Sequence, residues 1–131
     1  MPFNPRSSVC LWAGRILGAL VALFLLGESA VDLLLPSKVQ AEMAATGFPA
    51  NTLPILGVTT LVCAVLYAIP RTAIIGAILI TGYLGGAICT HLRIGEFGSP
   101  PQIVSAVLGM MTWGGLYLRD ARFRNLFAPN T

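Results

Sequence analysis

Charge is what this chain most lacks. Only 10% of its 131 residues are Asp, Glu, Lys or Arg, where soluble domains carry about 25%. Too few charges are present to cover a surface facing water, which excludes an ordinary soluble domain. Cysteine is equally sparse. Cys10, Cys63 and Cys89 stand far apart and form no CxxC, so neither a dithiol redox centre nor a thiolate metal site is expected, and no metal at all. A buried cysteine of this kind serves as a small apolar residue. With one histidine, His91, and no CxxCH, the chain also excludes a bis-histidine or c-type haem. Phosphate-binding glycine loops, dinucleotide fingerprints, HExxH and nucleophile elbows are all missing. The net charge of +3 would suit nucleic acid, but Arg71, Arg119, Arg122 and Arg124 lie beside apolar stretches, where basic residues set membrane topology. No nucleic-acid partner is expected.

What is present is apolar surface. Apolar residues make up 56% of the sequence and mean hydropathy is +0.81, so the lipid bilayer is the expected environment. The pattern predicts an all-α fold, a single integral membrane domain over 1–131 built as a four-helix bundle. The expected transmembrane helices cover about 9–35, 52–69, 72–92 and 102–118, followed by a basic tail at 119–131. The first apolar run is too long for a cleavable signal and is expected to remain as an anchor. Pro36 ends the first helix. Ser37 with Gln40 three residues on reads as a capping box, opening a short interfacial helix over 37–46 that stops at Gly47. Pro70-Arg71 leaves room only for an antiparallel hairpin of helices, and the stretch from Glu96 to Pro101 reads as a loop. Placing both termini in the cytoplasm puts Arg6, Arg15, Arg71, Arg119, Arg122 and Arg124 inside, leaving Lys38 and Arg93 outside, as the positive-inside rule requires.

Helices in lipid associate through close packing and polar contacts. Gly76, Gly82, Gly85 and Gly86 give the third helix a smooth surface with a GxxxG spacing, expected to serve packing within the chain or a homodimer contact. Gly14, Gly18, Gly109, Gly114 and Gly115 offer similar approaches on the first and fourth helices. Trp12 and Tyr117 stand where interfacial anchors belong.

Ionisable residues inside a bilayer are costly and usually face a cavity or a partner. Glu28 and Asp32, four apart, share a helix face, while His91 and Arg93 close the third helix at the same end. Tyr83 and Thr90, seven apart, share a face of that third helix. If the first and third helices pack side by side, Glu28, Asp32, His91 and Arg93 form one cluster, with Gln102 and Ser105 at the same level and Tyr83 and Thr90 lining the interior. Such a group suits ligand binding or a proton relay. Glu28, Asp32 and His91 are also candidates for acid–base catalysis. Charged groups in the headgroup layer account for Asp32 and Arg93 without any site; Glu28 lies one turn deeper.

The run from Leu66 to Ala87, holding Pro70-Arg71-Thr72 and Gly82-Tyr83-Leu84-Gly85-Gly86, is followed by Thr90-His91-Leu92-Arg93 and the exit Leu118-Arg119-Asp120. Together with Gly47-Phe48-Pro49 this pattern resembles the DoxX-like family of small bacterial membrane proteins, most clearly from Gly57 to Arg93. The resemblance implies a multi-pass four-helix bundle in the cytoplasmic (inner) membrane. Its relatives are similar to subunits of quinone-linked sulfur oxidation, to partners of redox-stress proteins and to an animal receptor-assembly chaperone. The family pattern puts an acid, then lysine four positions later, at the end of the first helix. Here Glu28 and Asp32 occupy those positions, so two acids replace an ion pair.

Three functions follow as expectations. The first is binding of an apolar small molecule, a quinone or a lipid, as a subunit of a redox or envelope-stress system with a membrane redox partner. The second is an enzyme that isomerises, cyclises or opens an epoxide of a hydrophobic substrate, with Glu28 or Asp32 as acid and His91 as its partner. The third is an assembly factor working through its glycine faces.

Overall fold

The computed structural model describes residues 7–128; Arg6 and the tail positions 129–131 lie outside them. Among the described residues there are six α-helices and no strand. Helix α1 (Ser8–Leu34) starts where Ser7 Oγ accepts the Cys10 N–H at 3.3 Å, and it ends ahead of Pro36. After a 3₁₀ turn at Pro36–Lys38 comes α2 (Gln40–Thr46). The capping box expected at Ser37 does not form. Pro36 opens a separate turn that uses up Ser37, and α2 starts from Val39 without a side-chain cap. Gly47 closes α2 with φ 81°; the Phe48 N–H bonds the Met43 carbonyl and the Gly47 N–H the Ala44 carbonyl. That is a Schellman motif, which needs the left-handed residue glycine supplies.

A 3₁₀ turn at Ala50–Thr52 leads into α3 (Leu53–Ala68), and a tight link leads on to α4 (Ala73–Arg93). In that link Thr72 Oγ1 donates to the Leu66 carbonyl at 2.7 Å. Helix α5 (Pro100–Arg119) begins two residues earlier than the sequence suggests. Pro100 and Pro101 form its first turn, where a missing N–H costs no hydrogen bond. Gln102 Oε1 accepts the Ser99 N–H at 3.1 Å. Asp120 then caps the short α6 (Ala121–Asn125).

The four long helices pack in a ring: α1 lies against α3 and α5, and α4 lies against the same two. At the centre of the ring, Val21, Leu25, Tyr67, Ile80 and Leu116 are fully buried. Tyr67 ties α3 to α5. Its hydroxyl donates to the Thr112 carbonyl at 2.7 Å, its own carbonyl accepts from Arg119 at 3.1 Å, and the guanidinium lies 4.5 Å from the ring centroid.

The close approaches are made by Gly14, Gly18, Gly57, Gly76 and Gly115. A Cβ at Gly14 would lie 2.9 Å from the Gly115 carbonyl, and one at Gly76 would lie 2.6 Å from Tyr67 Cα. The expectation that Gly82, Gly85 and Gly86 also pack within the chain is not met. Nothing packs within 4 Å of a Cβ built at any of the three: Gly82 and Gly86 border one open space beside α4 and Gly85 another.

Helices α1 and α4 are long and apolar enough to cross a bilayer, yet only 28% of each apolar stretch is buried. The core helix of a soluble protein would be mostly buried. Here Leu20, Leu23, Ile75 and Ile78 face outward, and a lipid solvent makes that arrangement stable. The 16 residues of α3 span roughly 24 Å at 1.5 Å per residue.

Candidate functional site

Because α1 and α4 are diagonal in the ring, they separate at one end, and α2 folds across the gap. Between them lies a cavity of about 820 Å³ lined by α1, α2, α3 and α4. On α4 the lining runs from Gly82 and Tyr83 to His91, a depth of about 12 Å at the helical rise. The inner walls are apolar, from Met43, Leu53 and Leu56, with Leu23 and Phe24 at the rim. Leu23, Phe24 and Gly27 on one side, and Gly82 and Gly86 on the other, are exposed, so the cavity opens sideways between α1 and α4. The bare faces of Gly82 and Gly86 are the reason that opening exists.

Of the residues singled out by sequence, Glu28, Asp32, Tyr83, Thr90 and His91 all line this cavity, and Arg93 does not. Arg93 turns its guanidinium to the Thr46 carbonyl and fastens α4 to the end of α2. Gln102 also stays out, its amide donating to the Ile88 carbonyl at 3.3 Å. Ser105 and Gly85 line a second, apolar groove between α4 and α5.

Asp32 is positioned by the α1–α3 contact. Ser29 Oγ donates to the Gly57 carbonyl at 2.8 Å, and the bare face of Gly57 admits Leu33 and Asp32. Asp32 is therefore held at 9% exposure. Neither Glu28 nor Asp32 has a cationic partner or a hydrogen-bond donor among the described residues.

His91 is held by the end of its own helix. Gly95 adopts φ 84°, its N–H bonds the Leu92 carbonyl, and the Glu96 N–H bonds the His91 carbonyl. This second Schellman motif swings the Glu96 carboxylate back onto the ring, Oε2 to Nδ1 at 2.6 Å. The other ring nitrogen, Nε2, stands 3.9 Å from Glu42 Oε1.

The acid paired with histidine is thus Glu96, and Glu42 joins the lining; sequence reasoning gave neither a role. The glycine after each helix was the available clue. In an amphipathic helix as short as α2, Glu42 reads as ordinary solvated charge. Chemically, the arrangement can hold an apolar body between α1 and α4 and engage a polar head at the α2 end.

At the opposite end of the ring, Asp120 Oδ2 pairs with Arg122 at 3.0 Å. Partial burial raises the Asp120 carboxyl, but hydrogen bonds from Arg122 and its charge outweigh that and hold the group below its ordinary value. Arg122 also bonds the Pro70 carbonyl, fixing α6 to the α3–α4 link.

Among known proteins, a family model described as the DoxX-like family matches residues 16–115, from α1 to the last turns of α5. No curated protein and no solved structure matches the chain.

Proposed function

The chain belongs to the DoxX-like family, and from that premise we propose that this membrane protein binds a small molecule with an apolar body and a polar head in the cavity between α1 and α4. The observation that carries the reading is the cavity itself: apolar walls open sideways and a polar end closed by α2. Ligand pockets of about 300–1,000 Å³ accommodate drug-sized molecules. In the proposed arrangement the four long helices span the cytoplasmic membrane as a bundle. Arg15, Arg71, Arg119, Arg122 and Arg124 gather at the end opposite the cavity, which supports cytoplasmic termini and a cavity facing outward.

Quinone and lipid fit this lining unequally. A quinone presents two carbonyl oxygens and asks for donors. The lining offers the Tyr83 hydroxyl and the His91 ring, while Glu28, Asp32 and Glu42 bring acceptors. A lipid-like amphiphile suits the site better. Organic extraction of the purified protein, followed by mass spectrometry, tests the reading. A bound lipid or quinone near one per chain, surviving detergent exchange, is expected. Protein that carries nothing beyond exchangeable bulk lipid would refute it.

A second reading has its own support in the 2.6 Å contact between His91 Nδ1 and Glu96. A carboxylate that orients a histidine while the other nitrogen faces a cavity suits acid–base chemistry on a hydrophobic substrate. Under that reading Glu28→Gln and His91→Ala each abolish turnover of a hydrophobic epoxide or isomerisable substrate with the fold intact, and activity retained in both variants rules it out. A redox or stress-response partner, or an assembly role, would draw on the open α4–α5 groove with Gly85 and Gly109.

A further inference from the structure

We propose that the head group recognised by this cavity is an organic cation, so that the ligand is an amphiphile carrying one net positive charge on an apolar body. The inference rests on the ligand-binding reading above and specifies its substrate class.

The distribution of charge carries it. The chain is basic overall, with eight Lys and Arg against five Asp and Glu. Of the five acids, Glu28, Asp32 and Glu42 line the cavity and Glu96 stands directly behind His91. The fifth, Asp120, is at the opposite end in its pair with Arg122. Among the described residues, no Lys or Arg lines the cavity. Arg93, the cation fastened to its rim, is committed to the Thr46 carbonyl. A cationic protein has gathered nearly all its negative charge around one apolar hollow.

Asp32 supplies the independent observation. It is nine-tenths buried, it lines the cavity, and it has neither donor nor counter-ion among the described residues. A carboxylate on a residue so little exposed is costly to leave without a partner. Here the fold provides no partner, and the open side of the group faces the space a ligand would fill. A cation entering there satisfies Asp32 and Glu28 together, since the two share a face of α1. A neutral hydroxyl head can give Asp32 a hydrogen bond but leaves its charge uncompensated, and an anionic head meets three carboxylates. The walls also suit a cation: Phe24, Phe48 and Tyr83 are on the lining, and aromatic faces attract alkylammonium groups.

The test uses the full-length protein in dodecyl maltoside micelles, with radiolabelled decyltrimethylammonium, decanol and decanoate as probes, each scored against empty micelles. All three carry comparable apolar tails, so differences report the head. Decyltrimethylammonium is expected to bind saturably and at least about tenfold more tightly than decanol, a margin of about 1.4 kcal/mol that one charge contact near a protein surface exceeds. Decanoate is expected to bind weakest. Asp32→Asn and Glu28→Gln should each lower the ammonium-to-decanol affinity ratio severalfold, the other lining carboxylates remaining in place. The SDS unfolding midpoint of each variant is the control for folding. Glu42→Gln, on the exposed side of α2, leaves the helix ring untouched and should also lower the ammonium-to-decanol ratio; ratios unchanged in all three variants overturn the cation proposal. Saturable binding with no preference for the ammonium overturns the cation proposal and leaves the ligand-binding reading standing. Saturable binding of none of the probes overturns both.

Discussion

Two substitutions on one helix separate packing glycines from cavity glycines. Gly76 and Gly82 lie six residues apart on α4, and changing either to alanine adds the same methyl group. At position 76 that methyl would sit 2.6 Å from Tyr67 Cα and 2.8 Å from the Leu66 carbonyl carbon. Carbon atoms pack at about 3.5–4.0 Å, so α3 and α4 must move apart by roughly 1 Å. Both obstacles are backbone and cannot rotate away. The displaced residue is Tyr67, which carries the bond to Thr112 and the stack with Arg119. Overpacking typically costs about 1–3 kcal/mol, and Gly76→Ala is expected at the upper end. At position 82 the methyl meets nothing within 4 Å, and the gain in helix propensity stabilises by up to about 1 kcal/mol. The propensity gain applies at both positions and cancels, so the two variants should differ by the overpacking cost alone, about 3 kcal/mol, or more than a hundredfold in the folded-to-unfolded ratio. SDS titration in mixed micelles, followed by far-ultraviolet circular dichroism, measures both against wild type. Equal midpoints, or a larger loss at Gly82, would refute the division of these glycines.

Gly86→Leu should be at least as stable as wild type, by up to about 1 kcal/mol of helix propensity, because its side chain enters open space. It should nevertheless reduce the ligand retained on purification, as quantified by mass spectrometry of the extract. Tyr67→Phe removes one buried hydroxyl that donates at 2.7 Å and should cost about 1 kcal/mol, read by the same SDS titration. Acid sensitivity at the basic end follows from Asp120, whose folded value is held below its ordinary 3.8. Its contribution is complete above pH 3.8 and disappears as pH falls through the lower folded value. Asp120→Asn should flatten that part of the stability–pH curve below pH 4, as measured by thermal unfolding across pH.

Much of the helical layout was legible because its punctuation is local. Pro36, Gly47 and Pro70 act on the residues beside them, and hydropathy over a span needs no knowledge of neighbours. The failures were also local rules, applied where tertiary context chose otherwise. Ser37 had the right spacing for a capping box, but Pro36 drew it into a 3₁₀ turn. Pro100 and Pro101 read as loop and became a first helical turn. Glycine spacing marked α4 as smooth without saying which glycines would meet another helix. Gly76 does, against Tyr67, and Gly82 and Gly86 open the cavity instead.

By itself the sequence determined the solvent, the all-helical character and the shared face of Glu28 and Asp32, since each depends on composition or on periodicity within one segment. Only the tertiary structure decided which helices are neighbours. That choice sets α1 and α4 diagonally, with α2 across the gap, and brings Glu28, Asp32, Glu42 and His91 around one hollow while sending Arg93 to Thr46. Contacts between residues tens of positions apart depend on which bare helix faces meet, and no periodicity within a single segment encodes that.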